Sequence, residues 1–225
     1  MKNVLQFKTG AKILIFLLSF SFFTTVNAQE YSLGIKAGLN YSLNNRGSEI
    51  VDGSGSFTAN SQFGYGGGVF AEVDFNKFFI RPEIIYNHTN GEFPFAPNPS
   101  EYIVNKLSVP LLVGYTIYGP LDLYAGPAYQ FLIERSLENT ISSLDQEYSN
   151  LALQYGAKMV LNRFELDLRY DFTFSSKHNE IINIPGSISN AYFDDGRLNQ
   201  VIFSVNYKLF GSKIEPVRKG GSCYF

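Results

Sequence analysis

The sequence predicts an all-β fold, an eight-stranded antiparallel up-and-down transmembrane β-barrel. Three observations predict it. Apolar and polar residues alternate with a period of two in eight segments, short and long connections alternate between those segments, and the polar positions are rich in glycine. Successive side chains of a strand point to opposite faces, so each segment forms a strand with one apolar and one polar face. The 15 Tyr, 21 Phe and 20 Gly also favour β structure over helix.

The first 28 residues resemble a secretory signal peptide. Lys2, Lys8 and Lys12 precede a mostly apolar run, residues 13–26, and Ala28 ends a stretch of small or modest residues that suits cleavage. A membrane-spanning helix is the alternative, but the run is shorter than the roughly 20 apolar residues that such a helix requires. We therefore expect residues 1–28 to be removed and the barrel to occupy residues 29–210.

The first four strands are predicted at residues 31–41, 62–75, 80–87 and 106–117. In the first strand, tyrosines and aliphatic residues alternate with serine, glycine and lysine. In the second strand, aromatic residues and valines alternate with residues that include three glycines and two acids. The third opposes isoleucines, a proline and a tyrosine to arginine, glutamate and asparagine. The fourth opposes leucine, valine and tyrosine to lysine, serine and threonine. Each pattern predicts a strand with two unlike faces.

The last four strands are predicted at residues 121–134, 151–161, 164–174 and 200–209. The fifth and sixth oppose leucines and aromatics to polar residues, glycines and alanines. The seventh opposes leucines and aromatics to three acids and an arginine, and the eighth opposes valines and aromatics to glutamine, serine, asparagine and lysine. We expect a bulge or kink at Pro82, Pro110 and Pro127, because a proline has no N–H for the ladder.

The connections divide into two classes. Short ones at residues 76–77, 118–120 and 162–163 alternate with long ones at residues 42–61, 88–102, 135–150 and 175–198. All tight turns therefore lie at one end of the barrel and all long loops at the other. Bacterial outer-membrane barrels have this asymmetry, with short periplasmic turns and long external loops.

A soluble barrel with its apolar face inside is the alternative. Aromatics at both ends of the apolar faces favour the membrane, since such rings suit lipid interfaces. Glycines on the polar face suit the narrow interior of an eight-stranded barrel. That face also carries both signs of charge, which we expect to pair inside the barrel. Its cations and acids are Lys36, Arg81, Lys106, Lys158, Arg169 and Lys208, with Glu72, Asp74, Glu83, Asp122, Glu134, Glu165, Asp167 and Asp171.

Composition excludes several classes of function. The chain has 18 basic and 20 acidic residues, so no nucleic-acid partner is indicated. One Cys and two His cannot form a disulfide framework or a Cys-based zinc site, and we predict no cofactor, no metal and no catalytic residue. Residues Asp194-Asp195-Gly196 lack the spacing of a calcium loop, and Cys223 has no partner.

Several strand motifs resemble the PorT-like outer-membrane β-barrel domain of Gram-negative bacteria. The motifs lie at residues 34–41, 68–72, 80–86, 109–115, 123–127 and 168–170. The resemblance covers residues 30–210 and implies an outer-membrane location, internal strand prolines and no shared catalytic residues. The founding member of that family is tied to protein secretion. A departure is the stretch 211–225 beyond Phe210, which we interpret as a flexible periplasmic tail, the alternative being that Tyr224-Phe225 closes the last strand.

Three functions remain open at this point. The leading one is a non-enzymatic structural or interaction role through the extracellular loops, with outer-membrane lipid and other envelope proteins as partners. The second is a small channel or a secretion accessory, which a narrow filled interior disfavours. The third is a rim hydrolase using His88, at the external end of the third strand, or His178, in the last long loop beside Ser175 and Ser176.

Overall fold

The computed structural model describes residues 30–43, 49–52, 55–58, 60–93, 99–137, 150–174, 177–182, 191–195 and 199–212. The predicted signal peptide, residues 213–225 and Cys223 lie outside the described residues. No helix within the described ranges is both long enough and apolar enough to cross a membrane.

The described ranges contain thirteen strands, in the chain order β1 (Glu30–Ser42), β2 (Glu49–Asp52), β3 (Gly55–Thr58), β4 (Asn60–Ser61), β5 (Phe63–Phe75), β6 (Phe78–Phe93), β7 (Ser100–Tyr118), β8 (Leu121–Leu137), β9 (Leu151–Leu161), β10 (Phe164–Thr173), β11 (Lys177–Ile182), β12 (Ala191–Asp195) and β13 (Gln200–Gly211). Eight of them, β1, β5 to β10 and β13, form the barrel wall. Each pairs antiparallel with the next along the chain, and β13 pairs with β1. The wall is therefore closed, and the predicted eight-stranded up-and-down barrel is confirmed.

The strand bounds agree with the prediction on one side of the barrel and exceed it on the other. The sixth predicted strand, residues 151–161, is β9. Strand β6 extends to Phe93, β7 begins at Ser100, and β8 extends to Leu137. The predicted bounds of this loop, residues 88–102, are therefore wrong, because residues 88–93 and 100–102 lie in strands. Pairing from His88 with Asn105 up to Phe93 with Ser100 continues there, although the apolar alternation has stopped. Backbone hydrogen bonds between strands do not require an apolar side-chain face, so the pairing of β6 and β7 can continue where the apolar pattern has ended.

Two of the predicted long loops also contain strands. The loop between β1 and β5 contributes β2 and β3, and the loop between β10 and β13 contributes β11 and β12. These four strands form a second antiparallel sheet in the order β11-β12-β2-β3, which we call the loop sheet. Loops that are far apart in the chain are thus joined at the same end of the barrel.

The tight turns lie where they were predicted, at residues 76–77, 119–120 and 162–163. Asn76, Gly119 and Asn162 have φ values of 61°, 54° and 59°. Glycine adopts this left-handed region freely, and asparagine tolerates it better than other side chains do. The residue types at the turns therefore explain why each hairpin reverses in so few residues.

The bulges expected at the prolines are not found. Pairing keeps one register on both sides of Pro82, Pro110 and Pro127. The register shifts of the barrel wall lie elsewhere, between Leu33 and Gly34 in β1 and at two points of the β7–β8 ladder. A missing N–H removes one hydrogen bond of a ladder, but it does not require an extra residue in the strand.

Burial is reversed relative to a soluble protein. Phe63, on the apolar face, is 70% exposed, whereas Arg81 and Lys106, on the polar face, are 1% and 0% exposed. Exposed aromatics form contacts at both ends of the wall, as in the ring pairs Phe78–Tyr115 and Tyr129–Phe131. The wall therefore presents its apolar face outward between two aromatic girdles, as the alternation predicted.

Candidate functional site

The barrel interior near the tight turns contains a cluster of ion pairs around Glu72. Its carboxylate accepts from the amine of Lys158, from Arg81 Nη1 at 3.0 Å and from Lys208 Nζ at 3.2 Å. Glu165 joins the same cations, with Oε2 at 2.6 Å from Arg81 Nη1 and Oε1 at 3.0 Å from Lys208 Nζ. Strands β5, β6, β9, β10 and β13 are thereby tied together across the lumen.

A second group of ion pairs lies further from the turns and centres on Arg169. Its Nη1 is 2.7 Å from Glu83 Oε2 and its Nη2 is 3.0 Å from Asp167 Oδ2. Lys36 Nζ approaches Asp167 Oδ2 at 2.6 Å, and the Tyr124 hydroxyl also donates to Asp167. Arg81 Nε, 2.7 Å from Glu83 Oε1, links this group to the Glu72 cluster.

Towards the loop end the lumen changes from ion pairs to amides. Lys106 Nζ lies 2.7 Å from Asp171 Oδ2, and the side-chain amides of Gln130 and Gln200 donate to the same carboxylate at 3.2 and 3.0 Å. Above this, Asn40 and Thr89 hydrogen bond to neighbouring groups. Most predicted interior charges are thus buried and paired, as expected for charges removed from water.

Two of the predicted interior charges are not buried in the lumen. Asp74 is only half-buried and lines a cavity at the turn end. Glu134 is exposed on the outer face, because a register shift in the β7–β8 ladder turns it outward. Parity along a strand fixes the face of a residue only up to the next bulge.

Aromatic rings and close backbone contacts fill the remaining interior. The Lys158 amine lies 3.9 Å from the centre of the Phe79 ring, and the Arg81 guanidinium lies 3.6 Å from that of Phe70. A Cβ atom on Gly114 would overlap the Phe79 ring. Gly34 and Gly114 therefore make room for the luminal rings of Phe70 and Phe79, which is the role that a narrow barrel predicts for small residues.

A cavity of about 400 Å³ opens at the turn end. Its lining includes Glu30, Asp74, Asp122 and Lys208, and the Glu72 cluster closes it on the inner side. The deeper space beside Asn87 and Ser204 has room for about one water molecule, some 10 Å³. The turn-end cavity is therefore a vestibule that ends at packed ion pairs.

The two histidines lie in different sheets, His88 in the barrel wall and His178 in the loop sheet. His88 lies on the outer face of β6, as its parity predicted, with its ring 4.7 Å from that of Tyr65. His178 lies in β11, and its side chain is outside the described residues, as are Ser175, Ser176 and the side chains of Asp194 and Asp195. No group of three or more His, Cys, Asp or Glu suited to a metal ion occurs in the described ranges.

A family model described as "Outer membrane protein beta-barrel domain" matches residues 27–179, which include all barrel strands except β13. The comparison with curated proteins finds no match.

Two solved structures are similar in topology. Neisserial surface protein A is 14% identical, with 80% of this chain and 99% of that chain covered and a TM-score of 0.41. Ail, the attachment invasion locus protein of Yersinia pestis, crystallised with the heparin analogue sucrose octasulfate, is 16% identical, with 80% and 99% covered and a TM-score of 0.43.

Proposed function

Because this chain belongs to the outer membrane protein beta-barrel domain family, whose model matches residues 27–179, we propose that this non-enzymatic protein of the Gram-negative outer membrane acts by binding a partner at its loop end. The loop sheet is the observation that carries the proposal. Four strands from two distant loops pair there outside the barrel wall. A hydrogen-bonded sheet holds a surface in one shape, which lowers the ordering cost of binding.

The tall wall beside the loop sheet supports the same role. Strands β6, β7 and β8 have 16, 19 and 17 residues, whereas about 9–11 tilted residues cross a bilayer. Their upper parts therefore project beyond the hydrocarbon. Together with the loop sheet, they give the loop end a structured surface on the outside of the cell, in line with the general topology of such barrels.

The ion-paired interior favours a closed barrel and disfavours a channel. Ions would have to displace the pairs between Arg81, Glu72 and Glu165, whose side chains are at most 1% exposed. Separating such buried partners costs several kcal/mol, on the order of 3–5. Conduction is therefore the weaker candidate function.

Membership of the PorT-like group, and a role as a secretion accessory, form the finer part of the proposal. The strand motifs at residues 34–41 and 80–86 support the group. The vestibule at the turn end is the surface on which a periplasmic secretion partner would act. The removal of residues 1–28 and the periplasmic position of residues 211–225 belong to the same proposal.

Site-specific photo-crosslinking in intact cells tests which end binds the partner. A crosslinking residue at Ser56, in the edge strand β3, samples the loop sheet, and one at Lys77, in the β5–β6 turn, samples the other end. We expect a discrete adduct at Ser56 and none at Lys77. An adduct at Lys77 alone would favour the secretion accessory and refute binding at the loop end.

A matched pair of variants controls for the fold of the loop sheet. Ile50 lies in β2 and pairs with Phe57 on one side and Phe193 on the other. Ile50→Pro removes an N–H from this central strand, whereas Ile50→Val keeps it. The Ser56 adduct should disappear in the proline variant and persist in the valine variant, with the barrel folded in both. An adduct that survives Ile50→Pro would show that the sheet is not the binding surface.

A further inference from the structure

The vestibule at the turn end carries an excess of negative charge at its mouth. Among the described residues, its lining contains four acids, Glu30, Glu72, Asp74 and Asp122, but a single base, Lys208. The carboxylate of Glu72 is already bound by three cations. The other three acids lie within two residues of the strand ends that surround the mouth. The excess charge of the vestibule therefore belongs to its mouth.

Two of these acids lie directly opposite each other. Glu30 on β1 is the register partner of Asp74 on β5, and both side chains are half-buried. Like charges directly opposite on neighbouring strands destabilise a sheet. None of the ion pairs between described residues includes Asp74, and the carboxylate of Asp122 approaches Lys158 Nζ only to 3.6 Å. A positive group bound at the mouth would offset this repulsion.

A buried hydroxyl in the same vestibule also lacks a partner. Ser32 lines the vestibule and is 5% exposed, and its Oγ makes no hydrogen bond to the described residues. Leaving a buried polar atom without a hydrogen bond is unfavourable. An ammonium or guanidinium group carries N–H donors as well as positive charge, so it suits both this hydroxyl and the acids.

The acids are spread around the mouth. Strand β8 is the fourth strand from β1 in either direction around the closed wall, so Asp122 lies across the mouth from Glu30. The cavity measures about 400 Å³, within the range of roughly 300–1,000 Å³ of pockets that hold ligands. This arrangement suits a peptide segment with several separated bases better than it suits a single small cation.

The chain itself leads to the mouth. Strand β13 ends at Gly211, which pairs with Ser32 and lines the vestibule. The backbone N–H of Ser212 donates to the carbonyl oxygen of Tyr31 at 2.9 Å, and Ser212 Oγ accepts from the Tyr31 N–H at 3.0 Å. The last described residue of the chain is thereby held one position from Glu30.

We propose that the segment 213–219 of this chain, which follows the described residues, binds across the mouth of the vestibule. Its bases are Lys213, Arg218 and Lys219, and its acid is Glu215. The segment is therefore opposite in sign to the mouth. One further step in the β1–β13 register brings Lys213 opposite Glu30, whose other neighbour is Asp74. Lys213 then lies where the two opposed acids need a positive charge.

The segment is long enough to reach the far side of the mouth. Eight strands about 4.8 Å apart, with a tilt of about 40°, give a wall roughly 16 Å across. The five or six residues from Lys213 to Arg218 and Lys219 span up to about 17–20 Å when extended. These two bases therefore reach Asp122 while Lys213 stays beside Glu30. The bound segment covers the vestibule, and a partner at the turn end has to displace it.

A distance measurement between two spin labels in nanodiscs tests the binding. One label is attached at Lys77→Cys, in the β5–β6 turn, and the other at Val217→Cys, with Cys223→Ser removing the one natural cysteine. A free segment of five residues beyond Ser212 spreads over roughly 12 Å. We expect a main component less than half as wide at low salt, and broadening at about 1 M salt, which screens ion pairs. A single broad distribution at low salt would overturn the proposal.

Charge variants in the same labelled protein identify the groups that bind. Asp74→Asn with Asp122→Asn changes only the vestibule, and Lys213→Gln with Arg218→Gln changes only the segment. Each pair should broaden the distribution, whereas the matched control Glu215→Gln should leave it narrow. The mobility of the unboiled protein on gels confirms that each variant is folded. A narrow component that survives both pairs would show that the segment is bound elsewhere, contrary to the proposal.

Trypsin gives an independent readout on the unlabelled protein, because it cleaves after the bases of the segment. Cleavage after Lys213 and Lys219 should be about three- to tenfold slower than in Asp74→Asn, Asp122→Asn, the range of two or three partly exposed ion pairs. Cleavage after the exposed Lys77 should be equal in both proteins. Equal cleavage of the segment would refute the proposal.

Dilution separates binding within one chain from binding between copies. Protection from trypsin should not depend on protein concentration if the segment binds the vestibule of its own chain. Protection that appears only at high concentration would assign the vestibule to a second copy and overturn the proposal. These readouts do not involve the loop end, so this inference and the proposed binding at the loop sheet succeed or fail separately.

Discussion

Removing one cation from the lumen tests the reasoning about buried charge most directly. In Arg81→Met, three carboxylates lose their common partner: Glu165 at 2.6 Å, Glu83 at 2.7 Å and Glu72 at 3.0 Å. Lys158, Lys208 and Arg169 remain beside these acids. One negative charge nevertheless becomes uncompensated, in a part of the lumen where the side chains of Arg81 and its three carboxylate partners are at most 1% exposed. We expect a loss of about 3–5 kcal/mol in the free energy of unfolding.

Urea titration of the protein in lipid vesicles measures this loss. The chain contains no Trp, so the folded fraction is followed by the mobility of the unboiled protein on gels and by circular dichroism. The double variant Arg81→Met, Glu165→Gln removes one carboxylate as well, and it should be more stable than the single variant because neighbouring charges are coupled. A loss below about 1 kcal/mol in Arg81→Met would mean that water solvates the acids, and it would refute the packed lumen.

Three further predictions concern the same wall and lumen. Lys106→Met should cost less than Arg81→Met in the same titration, since two glutamine amides continue to donate to Asp171. Gly68→Ala should lower the yield of folded barrel, because its Cβ would overlap the backbone of β6, whereas Gly67→Ala, with its nearest atom 3.2 Å away, should fold normally. Planar-bilayer recordings should show no single-channel steps, and clear steps would refute the filled interior.

Alternation within each segment predicts the eight wall strands over the apolar band and the face of most of their residues. Parity alone assigns Lys36 and Asp171 to the lumen, and both are buried there. The turns can also be predicted from local residue types, since Asn76 and Asn162 mark reversals of the chain. These features depend on neighbours in sequence, which is why a single sequence contains them.

Other features depend on how distant segments meet. The bulge at Ile133 reverses the face of Glu134, and no local signal distinguishes it from regular alternation. The pairing of β2 with β12 joins loops more than a hundred residues apart, and the upper parts of β6 and β7 pair without an apolar pattern. The pairing of each luminal acid with its base likewise depends on how the strands meet in the closed wall, so it cannot be predicted from local sequence.

The ion pairs of the lumen connect residues from opposite ends of the chain. Lys36 bonds to Asp167 across 131 positions, and Lys208 bonds to Glu72 across 136. A nascent barrel whose first and last strands have not yet met would have to hold these groups apart in a membrane that solvates neither. Stable half-inserted forms are thereby disfavoured, and insertion and seam closure should occur as a single cooperative event in which the finished cylinder is the first well-solvated state.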